Sequence, residues 1–259
     1  MKIKMKILIY CTLLTLLTPT VLADNKPFYL ADDQDFAPYV YIDSEGRKAG
    51  IVYDLLVSIF SKMEQDLKYE LFPWRRAQKI VSSGLADALV TIPTPNRLVF
   101  LVASEPIIRL DFTVHYNNDN PKREQILAIN NIKQLQPFQM IDYQGDGWAE
   151  ENLKQFKVIW APNYTSAVGM LALNRGDIFL DDNLSIKAHV KKQIQITPKL
   201  EQHLLNIKHG DNVLYTVPLC LLIRKDSEYI GLLEQFNKTL HSIKASGEYQ
   251  QIIDKYVLY

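Results

Sequence analysis

Apolar residues at positions 52, 55, 56, 59, 60 and 63 recur at the spacing of one helical face, which predicts a helix opening at Gly50. Short runs on either side read as strands: Phe28 to Asp32, Tyr39 to Ile42 and Tyr69 to Phe72, with Asp43-Ser44-Glu45-Gly46 as a turn. Pro73-Trp74 starts a second helix that places Ala77, Ile80 and Val81 on one face and ends at Gly84. Asp87 to Ile92 is an apolar strand bounded by Pro93. This alternation predicts an α/β unit with a mostly parallel sheet.

The middle of the chain repeats that order. Phe112 to Tyr116, Phe138 to Ile141, Phe156 to Trp160 and Ile178 to Leu180 read as strands, with helices near 148–155 and 166–174. The chain returns through a strand at Leu219 to Ile223 and finishes in helices near 229–244 and 246–255. Two α/β units of roughly a hundred residues each predict two lobes. Ligands of open α/β sheets sit at the carboxyl ends of the strands, so two facing edges make a cleft. Thr94-Pro95-Asn96-Arg97 and Gly145-Asp146-Gly147 fall at such edges.

The first residues stand apart from this pattern. Lys2, Lys4 and Lys6 precede an apolar stretch from Ile7 to Leu17, Pro19 breaks it, and Val21-Leu22-Ala23 follows. That is the layout of a secretory leader cleaved after Ala23, too short to span a bilayer comfortably. Cys11 lacks the small residues that precede a lipidated cysteine, so no lipid anchor is expected. The whole chain of 259 residues carries 29 basic and 29 acidic side chains. Removing residues 1–23 takes three lysines and no acid, which leaves 26 basic against 29 acidic residues. A basic stripe for nucleic acid is absent from this balance. Cys220 is then the one remaining cysteine, flanked by Val217-Pro218-Leu219 and Leu221-Leu222-Ile223, which predicts a buried structural thiol. Thiolate zinc sites and internal disulfides are excluded, and no cofactor or metal is expected.

Five stretches resemble the bacterial extracellular solute-binding proteins that serve polar amino acid uptake. They are DDQDFAPYVYIDSEGRKAGIVYDLLVSIF, FPWRRAQKIVSSGLADALV, TPNRLVFLVASEPI, LNRGDIFLDD and FNKTLHSIKASGEYQQIIDKYV, in order from about Tyr29 to Val257. The resemblance implies a type II-like Venus-flytrap fold, two lobes joined by two crossing segments that close on a small ligand. It places the crossings near Ile108 to Asp111 and Tyr215 to Pro218. Lobe one would hold 24–109 and 219–259, and lobe two 110–218.

The same resemblance suggests the binding residues. Thr94 and Arg97 match the family's pattern for an arginine that grips a ligand carboxylate through paired donors. Asp182, after the strand Ile178 to Asp181, matches an aspartate that accepts a ligand ammonium. Asp181 would read the variable part of the ligand if its side chain faces the cleft. Asp33 matches a pocket aspartate of members that bind polar ligands, with Asp35 competing for the role. Phe36, Tyr39 and Trp74 are candidates for stacking on the ligand, although Tyr39 fits a core position equally well. Arg75 and Arg76 read as a solvated helix surface.

Two departures bear on the ligand. The run Val90-Thr91-Ile92-Pro93 is shorter than usual, its proline has no amide to donate, and Thr91 is left as the hydroxyl. Where the family commonly has Gly-Thr at a helix start, this chain has Gly145-Asp146-Gly147. Asp146 would either repel a carboxylate or cap the helix, and either alters the anion pocket. Facing the cleft, it would favour ligands with a second positive group over glutamate or aspartate.

Catalysis is not expected. No G-x-S-x-G, H-E-x-x-H or Walker A pattern is present, and His115, His189, His203, His209 and His241 fall outside the cleft segments. His189 with Lys191 and Lys192 reads as a solvated helix face. The expected role is a monomeric periplasmic binder of a small polar, amino-acid-like solute, delivering it to the membrane permease of an ABC-type transporter. A periplasmic module that partners a membrane sensor is the alternative, and a cyclic-acid dehydratase the remoter one.

Overall fold

A computed structural model describes residues 26–257; the leader and its cleavage point lie outside them. The first lobe opens with β1 (Phe28–Asp33) and the short antiparallel strands β2 (Asp35–Phe36), β3 (Val40–Ile42) and β4 (Lys48–Ala49). Helix α1 (Ile51–Lys62), β5 (Leu67–Phe72), α2 (Trp74–Ser82), β6 (Ala88–Thr91), α3 (Pro95–Leu98) and β7 (Leu101–Ala103) follow. Strand β8 (Ile108–Asn117) leads into the second lobe, which holds α4 (Arg123–Leu127), β9 (Gln139–Tyr143), α5 (Gly147–Asn152) and β10 (Lys157–Ala161). It continues with α6 (Tyr164–Ala172), β11 (Phe179–Asp182), α7 (Asn183–Ile196) and α8 (Glu201–Leu205). Strand β12 (Ile207–Arg224) returns to the first lobe, where α9 (Leu232–Ser246) and α10 (Glu248–Val257) end the fold.

The main sheet runs β11-β8-β12-β6-β1-β5. Strand β1 pairs in parallel with β5 and β6, as the βαβ order requires. The antiparallel β8–β12 pair links the lobes. Leu219 opposes Ile108 and Thr216 opposes Asp111, and the pairing continues to Ile207 opposite Asn117. The carboxyl half of β12 pairs instead with β6, Cys220 opposite Thr91. One 18-residue strand thus belongs to both lobes. The boundaries expected near 109 and 218 fall inside this pair.

Helix α1 buries Ile51, Val52, Leu55, Leu56, Ile59 and Phe60, the stripe its spacing predicts. Each such side chain contributes about 1.5–3 kcal/mol by leaving water. Cys220 is buried and unpaired, as expected. Several short elements, β4, α3, β7, α4 and α8 among them, escaped the sequence pattern, and two longer ones were read only in part. Helix α7 has scattered apolar positions, and the first half of β12 is largely exposed, so neither shows a clean period.

Gly50 fixes how α1 meets the rim of the cleft. Its φ is +126°, and a Cβ there would lie 2.3 Å from the Tyr39 carbonyl oxygen. The close approach lets the Ile51 and Val52 amides donate to the carbonyls of Pro38 and Tyr39 at 2.9 and 2.8 Å. Gly50→Ala is expected to cost about 3 kcal/mol through clash and backbone strain, read as a lower urea midpoint at unchanged slope.

Candidate functional site

The strand ends of both lobes face each other across a narrow cavity. Its volume is about 40 Å³, room for roughly three water molecules. The first lobe contributes Asp32 and Asp33 from the end of β1, Phe36 from β2, Trp74 from the start of α2, Thr91 from the end of β6, and Arg97 from α3. The second lobe contributes Tyr143 from the end of β9, Asp146 before α5, and Asp181 in β11. Leu110, Phe112 and Leu219 of the linking strands form an apolar side.

Contacts between the lobes close the cleft on both flanks. On one, the Trp74 indole donates to the Gly145 carbonyl at 2.7 Å and the Gln78 amide to the same oxygen at 3.1 Å. Arg75 reaches the Gln144 side chain at 3.3 Å, so it is more than a solvated arginine. On the other flank, the Tyr39 hydroxyl donates to Asp182 at 2.8 Å. Lys192 pairs with the Asp35 carboxylate, and His189 Nε2 lies 2.9 Å from the Asp35 carbonyl oxygen.

The sequence profile of the bacterial extracellular solute-binding proteins, family 3, matches residues 29–259. The chain belongs to that family. This family 3 protein is 22% identical over 236 residues to a probable histidine-binding protein of Neisseria gonorrhoeae, covering 90% of this chain and 83% of that one. Its fold matches a histidine kinase sensor domain with similarity to periplasmic binding proteins, at a TM-score of 0.75 and 18% identity, covering 90% and 96% of the two chains. It also matches an ancestral arginine-binding protein bound to arginine, at a TM-score of 0.69 and 20% identity, covering 89% and 98%. These likenesses show the two lobes that the residue pattern predicts and the Venus-flytrap fold that the resemblance implies. The family is one of binding proteins, not enzymes, and is periplasmic or extracellular.

Of the residues anticipated for the cleft of this family 3 protein, Asp33, Phe36, Trp74, Thr91, Arg97, Asp146 and Asp181 line the cavity together. Thr94 and Gly147 sit outside it, on an open groove reached past Arg97. Thr94 caps α3, its hydroxyl facing the Arg97 amide at 3.5 Å. Gly147 lets the Arg97 guanidinium press against its backbone, since a Cβ there would come within 2.9 Å of Nη2. Asp182 is also absent from the cavity wall. Its Oδ1 caps α7 by accepting from the Leu184 and Ser185 amides at 3.0 and 3.2 Å, besides holding Tyr39. Successive strand side chains point to opposite faces, which turns Asp181 inward and Asp182 away. The reading of His189 as solvated is corrected: it is fully buried, stacked 3.9 Å from the Tyr164 ring, because α7 packs its flank against the lobe interface. Asp32 and Tyr143 were not anticipated. The doubled aspartate ending β1 was the available signal for Asp32.

Acidity dominates the electrostatics. Burial pushes Asp32 up to about 8, against the donations from the Asp33 amide and the Tyr69 hydroxyl at 2.8 and 3.0 Å. Burial likewise pushes Asp33 up to about 7. Asp181 is held well above the carboxylate range by burial and then by the charge of Asp182. Asp146 is raised by burial despite two amide donors and the nearby Arg97. Asp35 is lowered: burial opposes ionisation there, but His189 and Lys192 outweigh it. Four carboxyl groups therefore face one guanidinium in the cavity. A buried cation would stabilise their charged forms and be stabilised by them.

Proposed function

We propose that this protein captures a small, polar, positively charged solute between its lobes and delivers it to an ABC-type membrane transporter. The carboxyl cluster Asp32, Asp33, Asp146 and Asp181 against the single Arg97 carries this reading. The positive group of the solute lies among Asp33, Asp146 and Asp181, and Phe36 and Trp74 cover its apolar stem. Lobe closure excludes water, which strengthens each of these charge contacts. Delivery from the periplasm fits the leader expected to be cleaved after Ala23, and the membership in an extracellular binding family supports it.

A thermal-shift screen tests the charge preference. A ligand that binds only the folded state adds about 2.7 kcal/mol at a hundred times its Kd. Lysine, arginine, ornithine, histidine and simple amines form the cationic panel, with glutamate, aspartate and glutamine as controls. A raised melting temperature with at least one cationic compound is expected. Stabilisation by glutamate or aspartate with none by cations rejects the reading.

A further inference from the structure

The cleft is rich in amide donors, and its own aspartates already take them. At the end of β1, the Asp33 amide donates to Asp32 at 2.8 Å and the Asp35 amide to Asp33 at 3.0 Å. At the end of β9, the Tyr143 amide donates to Asp142, which lies behind the cavity wall, at 2.7 Å. In β11, the Asp182 amide donates to Asp181 at 2.7 Å. The Trp148 and Ala149 amides at the start of α5 both donate to Asp146 Oδ1, at 2.9 and 3.0 Å.

Arg97 is similarly engaged. Its guanidinium donates to the Ile92 carbonyl at 3.0 Å and to the Gln78 side chain at 3.2 Å, and it lies against the Gly147 backbone. Among the charges that act on it, the strongest is that of Asp146, the carboxylate that caps α5. Asp146 thus places one of the protein's own carboxylates on the helix amides, in the cavity that Arg97 also lines. A ligand carboxylate would have to displace it, and would then meet the remaining aspartates. Burying a charge without a partner is strongly unfavourable.

We propose that the cleft takes organic cations that carry no carboxylate, with α,ω-diamines and guanidinoalkylamines as the class it fits. The inference rests on the cationic reading above and narrows it. One positive end meets Asp33 of the first lobe, and the other meets Asp146 and Asp181 of the second. The alkyl stem lies along Phe36, Trp74 and Leu219, which line the same cavity.

Calorimetry at pH 8 on matched pairs tests this: putrescine against ornithine, cadaverine against lysine, agmatine against arginine, histamine against histidine. At least one amine is expected to bind tenfold or more tightly than its amino acid. Amino acids that bind as tightly as their amines, or more tightly, overturn the inference and leave the cationic reading standing. Binding by glutamate or glutamine alone, or by no compound of the panel, overturns both. Asp146→Ser keeps a helix-capping oxygen while removing the charge. It is expected to shift the ratio of amine to amino acid affinity at least tenfold toward the amino acid. An unchanged ratio in the folded variant overturns the role given to Asp146.

Discussion

Asp181→Asn is expected to weaken cation binding by about 2–5 kcal/mol, roughly thirtyfold to several thousandfold in Kd, while leaving the ligand-free protein as stable or more stable. The two effects have one cause. Asp181 is buried, and its charge is opposed by burial and by Asp182 beside it. Asparagine preserves the shape and the acceptor for the Asp182 amide, which lies 2.7 Å away. It removes only a charge that the empty cleft disfavours and that a bound cation needs. Asp182→Ala should behave in the opposite way. That residue caps α7 and holds Tyr39 across the lobes, so its loss costs about 1 kcal/mol or more of stability. Its effect on cation affinity is expected to stay below tenfold. Chemical denaturation and calorimetry on the two variants separate them. If Asp182→Ala weakens binding more than Asp181→Asn, the cleft assignment is wrong.

The second large effect is a dependence on pH. Asp32 and Asp33 are pushed up to about 8 and about 7 from an ordinary value of 3.8. Above about pH 4 the unfolded chain releases these protons, whereas the folded chain keeps that of Asp33 up to about pH 7 and that of Asp32 up to about pH 8. Folding therefore takes up protons in this window, and stability falls as pH rises through it. Lowering pH from 8 to 5 is expected to raise the melting temperature of the ligand-free protein by on the order of 5 °C. Cation affinity should move the other way, because binding a cation expels the same protons. It should fall by up to about tenfold per pH unit per proton released as pH drops from 8 to 6. Calorimetry in buffers of different ionisation enthalpy would detect the proton release. Affinity that rises on acidification would contradict the carboxylate cluster as the binding group.

The two-lobed fold could be read from the residues for local reasons, and most of the cavity wall from the family resemblance added to them. Helix α1 announced itself because its buried stripe keeps one period over three turns. Trp74, Arg97 and Asp146 stand where a strand passes into a helix or loop, and that is where α/β sheets present their ligand groups. Helix α7 read as a solvated face because its polar residues are used in contacts between lobes. His189 and Lys192 serve Asp35, 154 and 157 residues earlier in the chain, and no local pattern marks such a pair.

What the sequence by itself determined was therefore the order of elements, the apolar interior of each lobe, and the acidic character of the loops that edge the cleft. These depend on composition and on periods of two or 3.6 residues, which neighbouring positions carry. Only the tertiary structure decided which of Asp181 and Asp182 faces the cavity, since a strand turns adjacent side chains to opposite sides. It alone also decided that Asp146 both caps α5 and lines the cleft, and that Arg97 meets Gln78 and Gly147 there. Those relations arise where strand ends from distant parts of the chain converge, so the balance of charge in the cleft exists only once the lobes are folded and facing each other.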